Sequence, residues 1–181
     1  MVEEGWTDMA TVDDAMVSLG FRMGPFELMD FIGNDVNYAV TTSVFEATYW
    51  DPRYRPSLLQ KRHVAAGYLG RKSGRGYYSY APDALRTVPS GDGALREAIG
   101  ERILAMLINE AHDAVFYGIA SEADVETAMT LGVNYPRGLF AWSRERGAGH
   151  WVGVLQGLKA RYQEDRYRVS PLLLAQASGG V

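Results

Sequence analysis

The sequence predicts an all-α protein made of two tandem copies of one helical unit, residues 1–88 and 89–181. Three observations lead there. Apolar residues recur three and four apart, with few two-residue alternations, which is helical rather than strand periodicity. Glycine and proline punctuate the chain at intervals that suit short helices. The chain also repeats itself: Arg53-Tyr54-Arg55-Pro56-Ser57 returns as Arg166-Tyr167-Arg168-Val169-Ser170, 113 residues on. That offset also carries Gly5, Ala10, Val12, Ala15 and Met16 onto Gly118, Ala123, Val125, Ala128 and Met129. After a one-residue slip, Leu19-Gly20 pairs with Leu131-Gly132. After a small insertion, Gly24-Pro25-Phe26 pairs with Gly138-Leu139-Phe140.

In copy one, Asp8 or Thr11 is the expected N-cap of a first helix with Val12, Ala15, Met16 and Leu19 on one face, ended by Gly20. Gly24-Pro25 starts the next helix, with proline at its first position, and Gly33-Asn34 breaks it. Residues 36–50 read as a helix with Val36, Val40, Val44 and Ala47 facing inward, stopped at Asp51-Pro52. Residues 58–66 form a further helix ended by Gly67, and residues 87–93 read as the linker between copies. Copy two opens with a long helix capped by Asp92, its apolar stripe running through Leu95, Ile99, Ile103, Met106, Ala111, Ala114 and Val115. Ser121-x-x-Asp124 is a capping-box pattern, its helix ending at Gly132, and residues 151–162 are helical. Copy one has four residues before Gly5, so it lacks a counterpart of the long helix. An exposed apolar groove is expected where that helix would lie, with either a neighbouring chain filling it or a mobile N-terminal segment.

Composition excludes several classes. At 47% hydrophobic and 22% charged residues the chain is too apolar for disorder. Zero cysteines exclude a disulfide scaffold, a thiol nucleophile and a cysteine zinc site. A net charge of −4 gives no global footprint for nucleic acid, and no apolar run is long enough to span a membrane. With no signal peptide recognised, a cytoplasmic location is expected.

Chemistry is sparse. Gly70-Arg71-Lys72-Ser73-Gly74-Arg75-Gly76 offers backbone N–H groups and three cations to a phosphate, but its lysine precedes the second glycine, unlike a Walker loop. A surface turn that docks Tyr77-Tyr78-Ser79-Tyr80 explains it more simply. Glu27 and Asp30 read as acids favouring a helix dipole. The Arg-Tyr-Arg segments read as solvated loop ends. His63, His112 and His150 lack metal-ligand spacing, so no metal site is expected.

The exact strings carry more. Gly20-Phe21-Arg22-Met23-Gly24-Pro25-Phe26-Glu27-Leu28-Met29-Asp30, followed by Gly70 to Tyr78 as written above, resembles the C-terminal domain of the 3-hydroxyacyl-CoA dehydrogenases. Leu131-Gly132-Val133-Asn134-Tyr135-Pro136-Arg137-Gly138 with Trp142 is similar to the second such domain of tandem bacterial members, of the 3-hydroxybutyryl-CoA and 3-hydroxyadipyl-CoA type of phenylacetate degradation. The fold implied is two tandem helical domains of that family, the first without its long first helix. The activity implied is oxidation of a 3-hydroxyacyl-CoA by NAD, as in fatty-acid β-oxidation. In the family a separate Rossmann domain binds NAD and carries a catalytic His–Glu pair. This chain has no such glycine motif, so it is expected to hold no catalytic or cofactor-binding residue and to be inactive alone. An Asn-Arg pair of the family's long helix falls on Glu101-Arg102. The substrate-binding residues implied are Met23, Gly24, Pro25 and Phe26, a wall near the acyl group; Tyr135-Pro136-Arg137-Gly138 departs from them in copy two. The partner implied is the acyl-CoA substrate, with the two copies pairing within the chain and a homodimer open. The alternative is a free-standing helical dimerisation or acyl-CoA-binding module.

Overall fold

A computed structural model of the chain describes residues 1–85 and 87–179. The Asp8 carboxylate accepts from the Thr11 N–H at 2.7 Å and starts α1, Met9–Ser18. Gly24 and Pro25 start α2, Pro25–Ile32, which ends at Gly33. Gly33 has φ 110° and turns the chain directly into α3, Asn34–Ala47. A 3-10 turn, Pro52–Tyr54, leads to α4, Leu58–Ala65, capped by the Ser57 hydroxyl. These elements, with the start of the next helix, form one compact unit, Met1–Glu97.

The long helix α5, Gly93–Phe116, is capped by Asp92, whose carboxylate accepts from the Leu95 N–H at 2.8 Å. The boundary between units falls inside it, and Ala98–Val181 is the second unit. Residues 90 and 91, expected in the linker, are docked on unit 1. Their N–H groups donate to the Thr11 hydroxyl at 2.9 and 3.3 Å. Unit 2 continues with α6, Glu122–Thr127, opened by the reciprocal Ser121–Asp124 capping box. A π-helical turn, Ala128–Gly132, precedes α7, Leu139–Arg146, then α8, Ala148–Tyr162. A 3-10 turn, Asp165–Tyr167, leads to α9, Pro171–Ala177. Among the described residues there is no strand; two isolated bridges, Gly70 to Arg75 and Arg75 to Ser79, are the β-type pairings found.

The backbone carries the repeat as well as the side chains do. Gly5 and Gly118 have φ 67° and 68°, and Trp50 and Gln163 have φ 58° and 54°. Gly33 and Gly147, each joining two helices, have φ 110° and 80°. The fold is thus an all-α tandem duplication, as the sequence predicts.

Several local expectations are corrected. In α3 the residues expected to face inward do not: Val36 is 47% exposed and Val40 58%, with Val44 also exposed. Among the described residues, that side of the helix stays open to solvent. In α5 the buried face runs through Ile99, Leu104, Ala105, Ile108 and Ala111 rather than Ile103 and Met106. The stripe is displaced because α5 also buries Arg102, Asn109 and His112, polar positions that a hydrophobicity pattern passes over. The helix of copy two does end at Gly132, through a π-helical turn, but the positive φ falls beyond it on Asn134. Arg53, expected in a solvated loop, is buried.

The two units also differ in their cores. Among the described residues of unit 1, the buried apolar side chains come from α1 alone: Ala10, Val12, Ala15 and Met16. Unit 2 buries Phe140, Trp142, Trp151, Leu155 and Leu173 together with the α5 residues above. Burial of apolar area is the main favourable term in folding, so unit 1 depends more on polar contacts than unit 2 does.

Candidate functional site

The loop between α1 and α2 carries the four residues singled out in the sequence. Its far end is fixed by Asp13, on the buried face of α1. The Asp13 carboxylate accepts from the N–H groups of Phe26 at 2.8 Å and Glu27 at 3.0 Å, and from the Tyr78 hydroxyl at 2.7 Å. The first N–H groups of a helix have no partner within it, so a carboxylate from another element satisfies them and favours the positive end of the helix dipole. Gly24 permits this approach: a Cβ there would lie 2.2 Å from the Cα of Asp13. Copy two repeats the device. Glu126 stands 113 residues after Asp13, accepts from the Ala141 N–H at 2.8 Å, and leaves no room for a Cβ on Gly138.

A second carboxylate holds the glycine-rich turn. Asp30 is 1% exposed and accepts from the N–H groups of Tyr77 and Tyr78 at 2.9 Å, the Tyr80 hydroxyl at 3.0 Å and the Asn34 amide at 2.9 Å. Gly76 and Gly70 have no space for a side chain, because a Cβ would reach 1.9 Å from the Asp30 carboxylate and 2.2 Å from its carbonyl oxygen. The motif is therefore a docked surface turn. Its cations are already engaged: Arg71 pairs with Glu27 at 3.1 Å, Lys72 with Asp35 at 2.7 Å, and Arg75 lies 4.1 Å over the Tyr68 ring. Asp30 is thus a buried acceptor rather than one of a pair of dipole-facing acids, and Glu27 is an ion-pair partner of the turn.

Beside this arrangement unit 1 holds a cavity of about 230 Å³, lined by Val12, Phe26, Met29, Leu59, Gln60 and Tyr77, with Met1, Val2, Glu3 and Ser57 along its rim. Phe26 meets Tyr77 edge-on at 4.8 Å, and Tyr77 lies 4.4 Å from the His63 ring. Of the four sequence candidates, Phe26 alone reaches the cavity. Gly24 is closed against Asp13, Pro25 opens α2, and Met23 is half-buried on the outer loop.

The histidines are structural in their contacts. His112 is fully buried, with Nδ1 2.7 Å from the Ile108 carbonyl and Nε2 3.1 Å from Gln176. His63 Nδ1 lies 2.9 Å from the Leu59 carbonyl, and His150 meets Glu101 at 2.8 Å. Among the described residues no group of three or more His, Cys, Asp or Glu side chains is placed to hold a metal. The described residues also contain no strand, glycine loop and helix in succession, so they do not form a cradle for a dinucleotide.

Electrostatics separate the carboxylates. Burial raises the Asp13 pKa above the ordinary aspartate value of 3.8, although the bonds from Tyr78, Phe26 and Glu27 pull it down. Burial and the neighbouring Asp30 push the Tyr80 hydroxyl up to about 12. A group whose folded pKa is raised is most favourable to stability below its unfolded pKa, and that contribution is lost as pH rises through the folded value. Asp13 therefore most needs its donors above that window, where it is ionised. A Tyr78→Phe variant removes one of them and is expected to cost about 1.5–3 kcal/mol near neutral pH. In acid, where Asp13 is protonated, the gap from the parent should narrow. Urea unfolding at both pH values checks this, and a gap that widens in acid would contradict it.

Residues 1–80 and 99–179 match the family described as 3-hydroxyacyl-CoA dehydrogenase, C-terminal domain, and the chain belongs to that family. It is 34% identical to the 3-hydroxyadipyl-CoA dehydrogenase of Escherichia coli K12 across 87% of this chain and 51% of that relative. It is 29% identical to the fatty acid oxidation complex subunit alpha of Shewanella frigidimarina across 93% of this chain and 26% of that protein. Among solved structures, 3-hydroxybutyryl-CoA dehydrogenase from Escherichia coli K12 matches 98% of this chain and 56% of its own, with 30% identity and a TM-score of 0.87. The chain thus spans about half the length of its 3-hydroxyadipyl-CoA dehydrogenase relative.

Sequence reasoning missed Asp13 and Asp30 as the groups that place the loop and the turn. The repeat held a signal for the first, since Asp13 recurs as Glu126 before a matched glycine.

Proposed function

We propose that this chain is the substrate-side and assembly portion of an NAD-dependent 3-hydroxyacyl-CoA dehydrogenase, which oxidises a 3-hydroxyacyl-CoA to the 3-oxoacyl-CoA. The observation that carries this is the Asp13-anchored loop of Met23, Gly24, Pro25 and Phe26 in a chain of that C-terminal family. In this reading Met23 and Pro25 form the wall beside the acyl group, Gly24 lets the loop close on α1, and Phe26 anchors it from below. The described residues hold no dinucleotide cradle, so NAD and the groups that accept the hydride and proton belong to another part of the full protein. The pathway proposed is acyl-CoA degradation of the phenylacetate type, in the cytoplasm.

The test replaces the aligned part of the Escherichia coli 3-hydroxyadipyl-CoA dehydrogenase with this chain. The hybrid is expected to reduce NAD with 3-hydroxyadipyl-CoA. Met23→Ala in the hybrid should raise KM about tenfold and change kcat less, because an apolar contact to the acyl chain is lost. A folded hybrid with no turnover would favour a free-standing module instead. A Met23→Ala hybrid with unchanged kinetics would remove Met23 from the wall.

A further inference from the structure

We propose that Arg22 sets the acyl-group preference of the substrate side, by pairing with a carboxylate at the far end of the acyl chain of a dicarboxylic 3-hydroxyacyl-CoA. The inference rests on the dehydrogenase reading and deepens it.

Arg22 stands one residue before Met23, in the loop between α1 and α2. Phe21 and Met23 on either side are half-buried, while Arg22 is exposed. Among the described residues its guanidinium makes no hydrogen bond, ion pair or ring contact. The cations of the neighbouring turn are engaged: Arg71 pairs with Glu27, Lys72 with Asp35, and Arg75 lies over Tyr68. Arg96 meets Asp14 of α1 at 2.7 Å. Copy two gives the contrast. Its corresponding loop also carries an arginine, Arg137, and Glu145 neutralises it. The offset of 114 residues that matches Gly24 to Gly138 carries Phe31 onto Glu145. Copy one therefore has an apolar ring where copy two has the neutralising acid. The loop cation is left uncompensated in the copy whose loop lines the acyl group in this reading, and is quenched in the other.

Met23 and Pro25 offer apolar contact, which suits the methylenes of an acyl chain. A cation at the edge of such a wall suits a chain that ends in an anion. The guanidinium is a planar fork that matches a carboxylate through two parallel hydrogen bonds. Its backbone is already placed. Asp13 holds the N–H groups of Phe26 and Glu27, and Gly24 is closed against α1, so little freedom is lost on binding. A pair of this kind is worth little in open solvent and more once water is excluded around the substrate. A monocarboxylic chain of equal length leaves the guanidinium without this partner.

The probes are 3-hydroxyadipyl-CoA and 3-hydroxyhexanoyl-CoA, equal in chain length and differing in the terminal carboxylate. Calorimetric Kd and kcat/KM are measured for the hybrid enzyme that carries this chain. The parent hybrid is expected to favour the dicarboxylic substrate about tenfold or more. Arg22→Ala should lower kcat/KM about 10–100-fold for that substrate and less than about twofold for the other. Arg22→Lys should keep part of the preference, and Arg22→Glu should invert it. Added salt should shrink the preference of the parent and leave Arg22→Ala unaffected. Three results would overturn the proposal. Equal losses on both substrates would assign the guanidinium to the CoA phosphates that they share. No loss on either would leave Arg22 without a role in binding. Lower stability with an unchanged preference would assign it to an ion pair within the folded protein. In each of these the hybrid still turns over, so the dehydrogenase reading stands while the inference fails. A folded hybrid that binds neither acyl-CoA would remove both together.

Discussion

Asp30→Ala is expected to cost about 4 kcal/mol, the largest single-residue effect in unit 1, because it orphans several buried donors at once. The N–H groups of Tyr77 and Tyr78, the Tyr80 hydroxyl and the Asn34 amide all donate to this one carboxylate. Each buried donor left unpaired costs about 1–3 kcal/mol, and relaxation of the turn recovers part of the sum. The turn cannot simply close over the gap, since Gly70 and Gly76 already lie against Asp30 with no room for a side chain. Asp30→Asn should be milder but still damaging, because one of its two terminal atoms donates instead of accepting. Urea midpoints at constant slope give the comparison, with loss of Tyr77 and Tyr78 protection in hydrogen exchange as the local reading. A loss below about 1 kcal/mol for Asp30→Ala would contradict the role of this carboxylate in holding the turn.

Gly24→Ala is expected to cost about 3 kcal/mol, for a reason of space rather than conformation. Gly24 has φ −76°, which any residue adopts, but its Cβ would lie 2.2 Å from both Cα and Cβ of Asp13. The Cα belongs to the backbone of α1 and the Cβ is fixed directly to it, so neither can rotate away. Relief requires α2 to move off α1, and that draws the Phe26 and Glu27 N–H groups away from the Asp13 carboxylate. Gly74→Ala is the matched control: φ is 73° and nothing lies within 4 Å of its Cβ, so strain alone costs about 1–2 kcal/mol. Equal effects at the two glycines would refute the steric account of the loop. In the hybrid enzyme, Gly24→Ala should impair turnover as well as stability, while Gly74→Ala should leave turnover near the parent.

How much of this was legible in the sequence follows from which interactions are local. Asp8, Asp92 and the Ser121–Asp124 pair cap helices within three residues of themselves, so spacing alone located them. Gly24-Pro25 and Gly33 acted where expected for the same reason. The repeat was legible because 113 residues separate many matched positions, and it carried the fold class. Asp13 and Asp30 were not legible, because all their partners but Asn34 lie 13 to 65 residues away and polar residues on a helix normally face water. The face of α3 misled for a related reason. Val36, Val40 and Val44 have the spacing of a core stripe, but periodicity names a face without saying what covers it. The proposed substrate-side residues were reachable only through resemblance, since Met23, Gly24, Pro25 and Phe26 bear no reactive group.

The central claim is that this chain shapes the substrate side of a dehydrogenase and does not itself perform the hydride transfer. The most direct measurement follows NADH formation from 3-hydroxyadipyl-CoA and NAD, with the 181-residue chain alone and with the hybrid that carries it. The account predicts no NADH from the chain alone and sustained NADH formation from the hybrid. Robust turnover by the chain alone would contradict it.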